Sequence, residues 1–330
     1  MKIMVVGGGG YIGTSLVPRL LEWNHDVEVV DLLWFGSFLP EGVPVTCKDA
    51  LDLAESDFEG FDVVFFLAGL SNDPMAEFSP RKNFVFNAAT PAYLAYVAKR
   101  AGVKRFIYSG TCSVYGYTVD ELYNEDADVS CSYAYGLSKL QGEQAVLQLI
   151  DENFSVISLR KGTVAGHSPR MRFDLVVNTM FKSAVVRKEV TINNAAILRP
   201  ILGVRDCVNA YVRAVEAPQN ISGIFNIISG NHTIGELGEI VKAEMERLLG
   251  PKISLNIKNI QDYRNYKVSF DKATRILNYQ PRDTIESLVQ DLVAHREEYG
   301  DFSNPRYYNI EVLKNLDLGN SPQAFMKGQK

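Results

Sequence analysis

"IMVVGGGGYIGTSLVPRLLEW", residues 3–23, is the stretch on which the fold turns. Its four leading apolar residues form a short run that reads as a strand buried on both faces. Glycines interrupt it, and "TSLVPRLLEW" then has helical spacing. A strand that turns through glycines into a helix leaves backbone N–H groups bare at the helix N-terminus, where a pyrophosphate can approach. Gly8, Gly10 and Gly13 fit G-x-G-x-x-G, and Gly7, Gly10 and Gly13 fit G-x-x-G-x-x-G equally well.

Working outward, "VEVVD" (27–31) is a second strand, ending on Asp31, 18 residues beyond Gly13. A carboxylate there accepts the adenosine ribose hydroxyls of a dinucleotide and repels a 2′-phosphate, so the pattern favours NAD over NADP. "DVVFFLAG" (62–69), "RFIYSG" (105–110) and "FSVISLR" (154–160) are further strands. Between them lie helices, "TPAYLAYVAKRAG" (90–102), with Pro91 early and Gly102 at its end, and "AYGLSKLQGEQAVLQLI" (134–150). Strands alternating with helices predict crossover units and a parallel sheet. The alternation loosens after residue 165, and "FNIIS" (225–229) is one more buried strand in a helix-rich second half. The expected division is residues 1–165, with returning segments near 200–230, and a smaller lobe over 166–330, the two interleaved because no flexible linker separates them.

At 330 residues and 36.8 kDa, with 46% apolar and 22% charged residues, the chain has ample material for a globular core. Its net charge of −5 argues against nucleic acid or an acidic membrane surface as partner. No apolar run reaches membrane length and no leader is read at the start, so a reduced, cytoplasmic setting is expected. Cys47, Cys112, Cys131 and Cys207 form no CxxC pair, and His25, His167, His232 and His295 have no metal-like spacing, so no metal site is expected.

Chemistry is carried by "SYAYGLSKLQGEQAV" (132–146) and "YSGTCSVYG" (108–116). Tyr135 and Lys139 are four apart and share one helix face. A phenol near its usual pKa of about 10 is a poor base at neutral pH unless its anion is stabilised, which a nearby ammonium does. Thr111 offers a hydroxyl that can hold a substrate oxygen against the tyrosine.

With these motifs in place, the chain resembles the extended short-chain dehydrogenases/reductases of the NAD-dependent nucleotide-sugar epimerase/dehydratase family, UDP-glucose 4-epimerase-like, along nearly its whole length. The matching stretches include "GGGGYIG", "KDALD" (48–52), "FLAGLSNDP" (66–74), "FNAATP" (86–91), "LRKGTVAG" (159–166), "MRFDLVVNTM" (171–180), "RPILGVRDCVNAY" (199–211) and "DYRNYKVSFDKATRILNYQPR" (262–282). The resemblance implies a Rossmann-type doubly wound α/β parallel sheet with a smaller C-terminal substrate lobe, a homodimer, and NAD as cofactor. Gly7, Gly10, Tyr11, Ile12, Gly13, Asp31, Leu67, Ala68, Gly69, Asn87 and Ser109 would line the cofactor groove, and Asp49 and Ala50 would border the adenine. Tyr135 would be the base, Lys139 would also bind the nicotinamide ribose, and Thr111 would take the Ser/Thr position. Asn178 would contact a nucleotide-diphosphate sugar, and Arg199 and Arg264 would grip its diphosphate. The dimer would pair through residues 91–101 and 134–150, where Tyr93, Leu94, Val97, Leu140, Val146 and Leu147 exceed one core-facing stripe.

One departure bears on the reaction. The family's 4,6-dehydratases place an Asp-Glu pair after the catalytic Thr, whereas Cys112 and Ser113 follow Thr111 here. Elimination of water then lacks its expected acid and base, and a C4 epimerase working through a 4-keto intermediate becomes the leading expectation. A C4 dehydrogenase or 4-keto reductase would use the same three residues. A non-catalytic dinucleotide-binding scaffold would have no use for the base.

Overall fold

The strand Lys2–Val6 shows why both faces of its sheet must be covered. Ile3 and Val5 pack into one hydrophobic cluster, while Met4 and Val6 pack into another on the opposite side. The computed structural model describes residues 1–129, 131–259 and 265–319. In it seven strands form one parallel sheet in the order Gly223–Ile227, Ser155–Lys161, Arg105–Tyr108, Val63–Phe66, Lys2–Val6, Asp26–Val30, Val45–Thr46. Chain order reverses between Lys2–Val6 and Val63–Phe66, and that switch point opens a crevice at the carboxyl ends of the strands.

The helices Gly13–Glu22 and Val204–Glu216 contribute Leu16, Val17, Leu20, Ala210 and Tyr211 to one face of the sheet. Thr90–Arg100 and Ala134–Leu147 contribute Leu94, Val97 and Val146 to the other. These three apolar residues, expected at a dimer face, therefore serve the chain's own core.

The second half also builds small sheets of its own. Thr163–Ala165, Leu198–Gly203 and Gly230–Thr233 form one, and Glu189–Asn193 pairs with Ser254–Lys258. The helices Val176–Arg187, Ile234–Leu249 and Ile285–Ala294 pack around them. Strand Gly223–Ile227 leaves this half to become an edge of the large sheet. It sits two residues earlier than the sequence pattern places it, since Ser229 N–H already bonds the Ile201 carbonyl in the smaller sheet.

The helical structure between strand Val63–Phe66 and residue 90 was not visible in the sequence. Asp73–Phe78 and Pro80–Phe84 are helical, and Val85–Ala89 forms a π-helical turn that runs into Thr90–Arg100. Such a wide turn commonly marks a functional site, and this one carries Asn87.

Candidate active site

A cleft of about 620 Å³ lies at the switch point, and most of the expected site residues line it. At one end is the glycine turn. A β-carbon at Gly7, whose φ is +85°, would collide with the Ala68 backbone nitrogen, and one at Gly13 with the Gly8 carbonyl. Gly7, Gly10 and Gly13 border the cleft with Tyr11 and Ile12, whereas Gly8 packs on Val29. The structure thus selects the G-x-x-G-x-x-G spacing. Asp31 stands beside the turn, its two carboxylate oxygens accepting from Gly9 N–H at 2.8 Å and Leu33 N–H at 2.7 Å. Burial raises its pKa, and those backbone donors act in the opposite direction. A carboxylate has about four acceptor sites, so capacity remains toward the cleft.

Asp49, Ala50, Leu67, Ala68, Gly69, Asn87 and Ser109 line the middle of the cleft. The fully buried Asn87 amide donates to the Leu70 carbonyl at 2.9 Å, to Asn83 Oδ1 at 2.9 Å and to Ser138 Oγ at 3.2 Å. Those bonds tie the π turn to the loop after Val63–Phe66 and to the helix Ala134–Leu147.

Thr111, Tyr135 and Lys139 line the far end. Burial pushes the Tyr135 phenol well up, and the Asp73 charge adds to this, while the Thr111 hydroxyl and the Arg172 charge favour its ionised form. The Lys139 ammonium lies 4.3 Å from the centre of the Tyr108 ring. Burial, then Lys161, hold Lys139 well below the usual lysine range. Beneath the site, Glu143 is one helical turn beyond Lys139 and takes the Arg160 guanidinium at 2.6 Å and Ser158 Oγ at 2.6 Å. This buried pair clamps the catalytic helix to strand Ser155–Lys161.

Two expectations change. Asn178 does not border the cleft. It is fully buried, with Oδ1 accepting from Gly166 N–H at 3.0 Å and Nδ2 donating to Tyr11 Oη at 3.1 Å and the Arg172 carbonyl at 2.9 Å. Its side chain braces the cleft wall from behind, which leaves no amide group for a ligand. Arg264 lies outside the described residues. Arg199 does line the cleft, with Nη1 donating to the Leu198 carbonyl and the guanidinium 5.7 Å from the Tyr266 ring centre.

The histidines, unpatterned in sequence, meet in space. His167 and His295 stack with ring centres 3.7 Å apart and planes 8° from parallel, close to Glu298. Stacked rings direct their in-plane lone pairs side by side rather than at one point, so this arrangement does not form a metal centre.

A family model described as the NAD dependent epimerase/dehydratase family matches residues 3–227. The chain belongs to that family. Among its relatives, the UDP-glucose 4-epimerase of Corynebacterium glutamicum is 26% identical over 334 residues, covering 92% of this chain and 98% of that protein. An uncharacterized UDP-glucose epimerase of Bacillus subtilis is 27% identical, covering 89% and 98%. The structure of a Thermotoga maritima UDP-glucose 4-epimerase with UDP-glucose superposes with a TM-score of 0.79 at 24% identity, covering 91% of this chain and all of that one. An NDP-hexosamine 5,6-dehydratase of tunicamycin biosynthesis superposes with a TM-score of 0.80 at 21% identity, covering 90% and 98%. These two likenesses establish the shared fold.

The family's cofactor is NAD, and the cleft fits it on its own evidence. The glycine turn is bare where side chains would collide. Two buried polar atoms among cleft residues have no partner, Asn87 Oδ1 and Arg170 Nε. Sequence reasoning missed Arg170. It is 2% exposed and lies over the Phe35 ring at 3.6 Å, with Nη2 held by Asn309 Oδ1 at 2.5 Å. Burial, then the neighbouring Arg172, bring its pKa down to about 9. A desolvated guanidinium calls for an anion in the adjoining space. Also missed were Asp73, Lys161 and the pair of Arg172 with Asp174, bonded at 2.8 and 2.9 Å. Each is a single charged residue in a loop, short helix or strand, so no periodic pattern announced it.

Proposed function

We propose that this chain is an NAD-dependent nucleotide-sugar epimerase acting at C4. The observation that carries the reading is one continuous cleft, with the glycine turn and Asp31 at one end, Thr111, Tyr135 and Lys139 at the other, and Arg199 entering from the second lobe. The turn, Asp31 and Asn87 would hold NAD, with Arg170 compensating its pyrophosphate. NAD, when bound, accepts a hydride at C4 and returns it. Tyr135 takes the 4-hydroxyl proton and gives it back, Thr111 holds the oxygen, and Lys139 supports the phenolate and the ribose. Inversion at C4 would follow if the keto sugar turned over in the cleft between the two transfers, with Tyr135 and Thr111 meeting the same oxygen each time. Arg199 and Arg264 would hold the sugar nucleotide's diphosphate. UDP sugars lead the candidates, because the relatives named above are UDP-glucose epimerases.

Cys112 is fully buried and its thiol donates to the Arg160 carbonyl, so it cannot serve an elimination. Asp73, whose charge reaches Tyr135 from the same cleft, supports a second reading in which a carboxylate assists loss of water. Incubation of purified, NAD-loaded protein with UDP-, dTDP-, GDP- and CDP-sugars separates the readings. C4 inversion at unchanged mass supports epimerisation, and a product lighter by one water supports the second reading. Absence of both with stoichiometric NADH formation would leave a dehydrogenase.

The working form is proposed as a cytoplasmic homodimer. The four cysteines are free thiols, and among the described residues no helix is long and apolar enough to cross a membrane. The helices expected to pair carry Tyr93 and Tyr96, 39% and 50% exposed, and the partly exposed Leu140 and Leu147. Light scattering at micromolar concentration should return twice the chain mass, and a single chain mass would rule the dimer out.

A further inference from the structure

A second cavity, of about 270 Å³, adjoins the cleft, and only Phe35 and Arg170 border both. Three segments far apart in sequence build it: the loop after strand Asp26–Val30, the loop after Thr163–Ala165, and the stretch from Arg296–Tyr299 to Pro305–Tyr307. Its walls are aromatic, with Phe35 and Phe38 from the first segment and Tyr299 and Tyr307, each 3% exposed, from the third. Two guanidinium groups are set into these walls. Arg170 lies over the Phe35 ring at 3.6 Å, and Arg306 lies 4.6 Å from the centre of the Tyr307 ring and 5.9 Å from that of Phe38. Arg170 Nη2 donates to Asn309 Oδ1 and, at 3.5 Å, to the Arg306 carbonyl, which keeps the two arginines together, and Arg306 Nη2 donates to Tyr307 Oη. All three acceptors are neutral. Among the described residues no carboxylate forms an ion pair with either group, whereas Arg160 and Arg172, buried much as Arg170 is, each hold one. Glu298, the acid on the wall, is exposed and pairs with neither. The Nε atoms of Arg170 and Arg306 are both buried without an acceptor. A guanidinium carries five donors, so each group keeps most of its fork unspent. Two cations set in apolar walls without a counter-charge carry a cost that an anion between them offsets.

We propose that this cavity is a second ligand site, which takes a small aromatic carboxylate: Arg306 and Arg170 grip the carboxylate, and the ring packs among Phe35, Phe38, Tyr299 and Tyr307. The walls decide the class of ligand. An inorganic anion would meet the two charges but leave the aromatic faces uncovered, and a neutral ring would cover the faces but leave the charges unmet. The planar fork of a guanidinium matches a carboxylate with two parallel hydrogen bonds. The volume is several times the ~30 Å³ share of one water molecule, which leaves room for a ring beside the carboxylate. Arg306 does not border the cleft, so it is the group that belongs to this site alone.

The test is a calorimetric titration of the purified protein, stripped of nucleotide, with benzoate at neutral pH. Benzoate should fill one saturable site. Benzamide, its neutral isostere, and inorganic phosphate, an anion without a ring, should each bind about tenfold more weakly or not at all. Arg306→Gln should weaken benzoate by about tenfold or more, while Tyr135→Phe, at the catalytic end of the cleft, should bind it as the wild-type protein does. Thermal melting establishes that each variant is folded, and Phe38→Leu replaces the Gln variant, with a loss of benzoate affinity again expected, if that one is not. The proposal is overturned by the absence of saturable benzoate binding, by benzamide or phosphate binding as tightly, by an unchanged affinity in the folded cavity variant, or by a loss in Tyr135→Phe, which would place benzoate in the cleft. No dinucleotide enters the titration, so a protein that binds benzoate in this way but not NAD would sink the cofactor reading and leave the second site standing.

Discussion

At the scale of single residues, the chemistry depends on how readily Tyr135 ionises. Tyr135→Phe should lower kcat by about 10²–10⁴-fold while NAD affinity stays the same, because only the proton acceptor is removed. Calorimetry alongside turnover checks both halves. The neighbours predict a pH effect of definite sign. Asp73 raises the phenol and Arg172 lowers it, after burial has already pushed it up. A general base works when deprotonated, so the rate rises with pH as the phenol ionises. Asp73→Asn removes the charge that opposes ionisation, and the ascending limb of the kcat–pH profile should move to lower pH; an unmoved limb would show that Asp73 does not act on Tyr135. Asp31→Ala should narrow the preference for NAD over NADP, and equal affinities in the wild-type protein would contradict the role given to Asp31. Tyr135, Lys139, Thr111 and Asp31 were legible because each belongs to a spaced motif. Asp73, Lys161 and the Arg170–Arg172 stretch come from three separate segments and come together only when the sheet forms. Asn178 illustrates the opposite error. A resemblance fixes a position along the chain but not the direction of its side chain, and here the carboxamide turns inward to Tyr11 and Gly166.

At the scale of elements, six strands of the large sheet were readable because their run lengths are set by burial on both faces, and the helices because of their spacing, with Pro91 and Gly102 marking the ends of one of them. The π turn at Val85–Ala89 was not readable, since no residue pattern distinguishes it from ordinary helix and its shape answers to Asn87 reaching the Leu70 carbonyl. The glycine turn gives a test that separates binding from folding. At Gly13 an added methyl group meets backbone, so Gly13→Ala should lower both the melting temperature and NAD affinity. At Gly10 the nearest obstacle is the Gly7 carbonyl at 3.3 Å, so Gly10→Ala should weaken NAD binding with a much smaller change in melting. The clamp between Glu143 and Arg160 is the other element-scale feature. Glu143→Ala leaves a buried guanidinium without its counter-charge and should cost about 3–5 kcal/mol in a denaturant titration. Loss of well under that would mean water reaches the pair.

At the scale of the whole molecule, the two halves meet across the cleft, and substitutions on the second half should act on the substrate alone. Arg199→Ala should raise the sugar-nucleotide KM by about tenfold or more, roughly 1.4 kcal/mol, and leave NAD binding unchanged. A loss of NAD affinity instead would mean the ends of the cleft had been assigned the wrong way round. Strand Gly223–Ile227 and helix Val204–Glu216 belong by sequence to the second half and by packing to the first. This has a consequence for how the chain is made. While residues after 161 are still emerging from the ribosome, strand Ser155–Lys161 has a bare edge of unpaired N–H and C=O groups, the kind of edge that recruits other strands. The nascent cofactor-binding half must therefore wait for more than sixty further residues before that edge is sealed, and a fragment ending at Ser222 should aggregate where one ending beyond Ile227 does not.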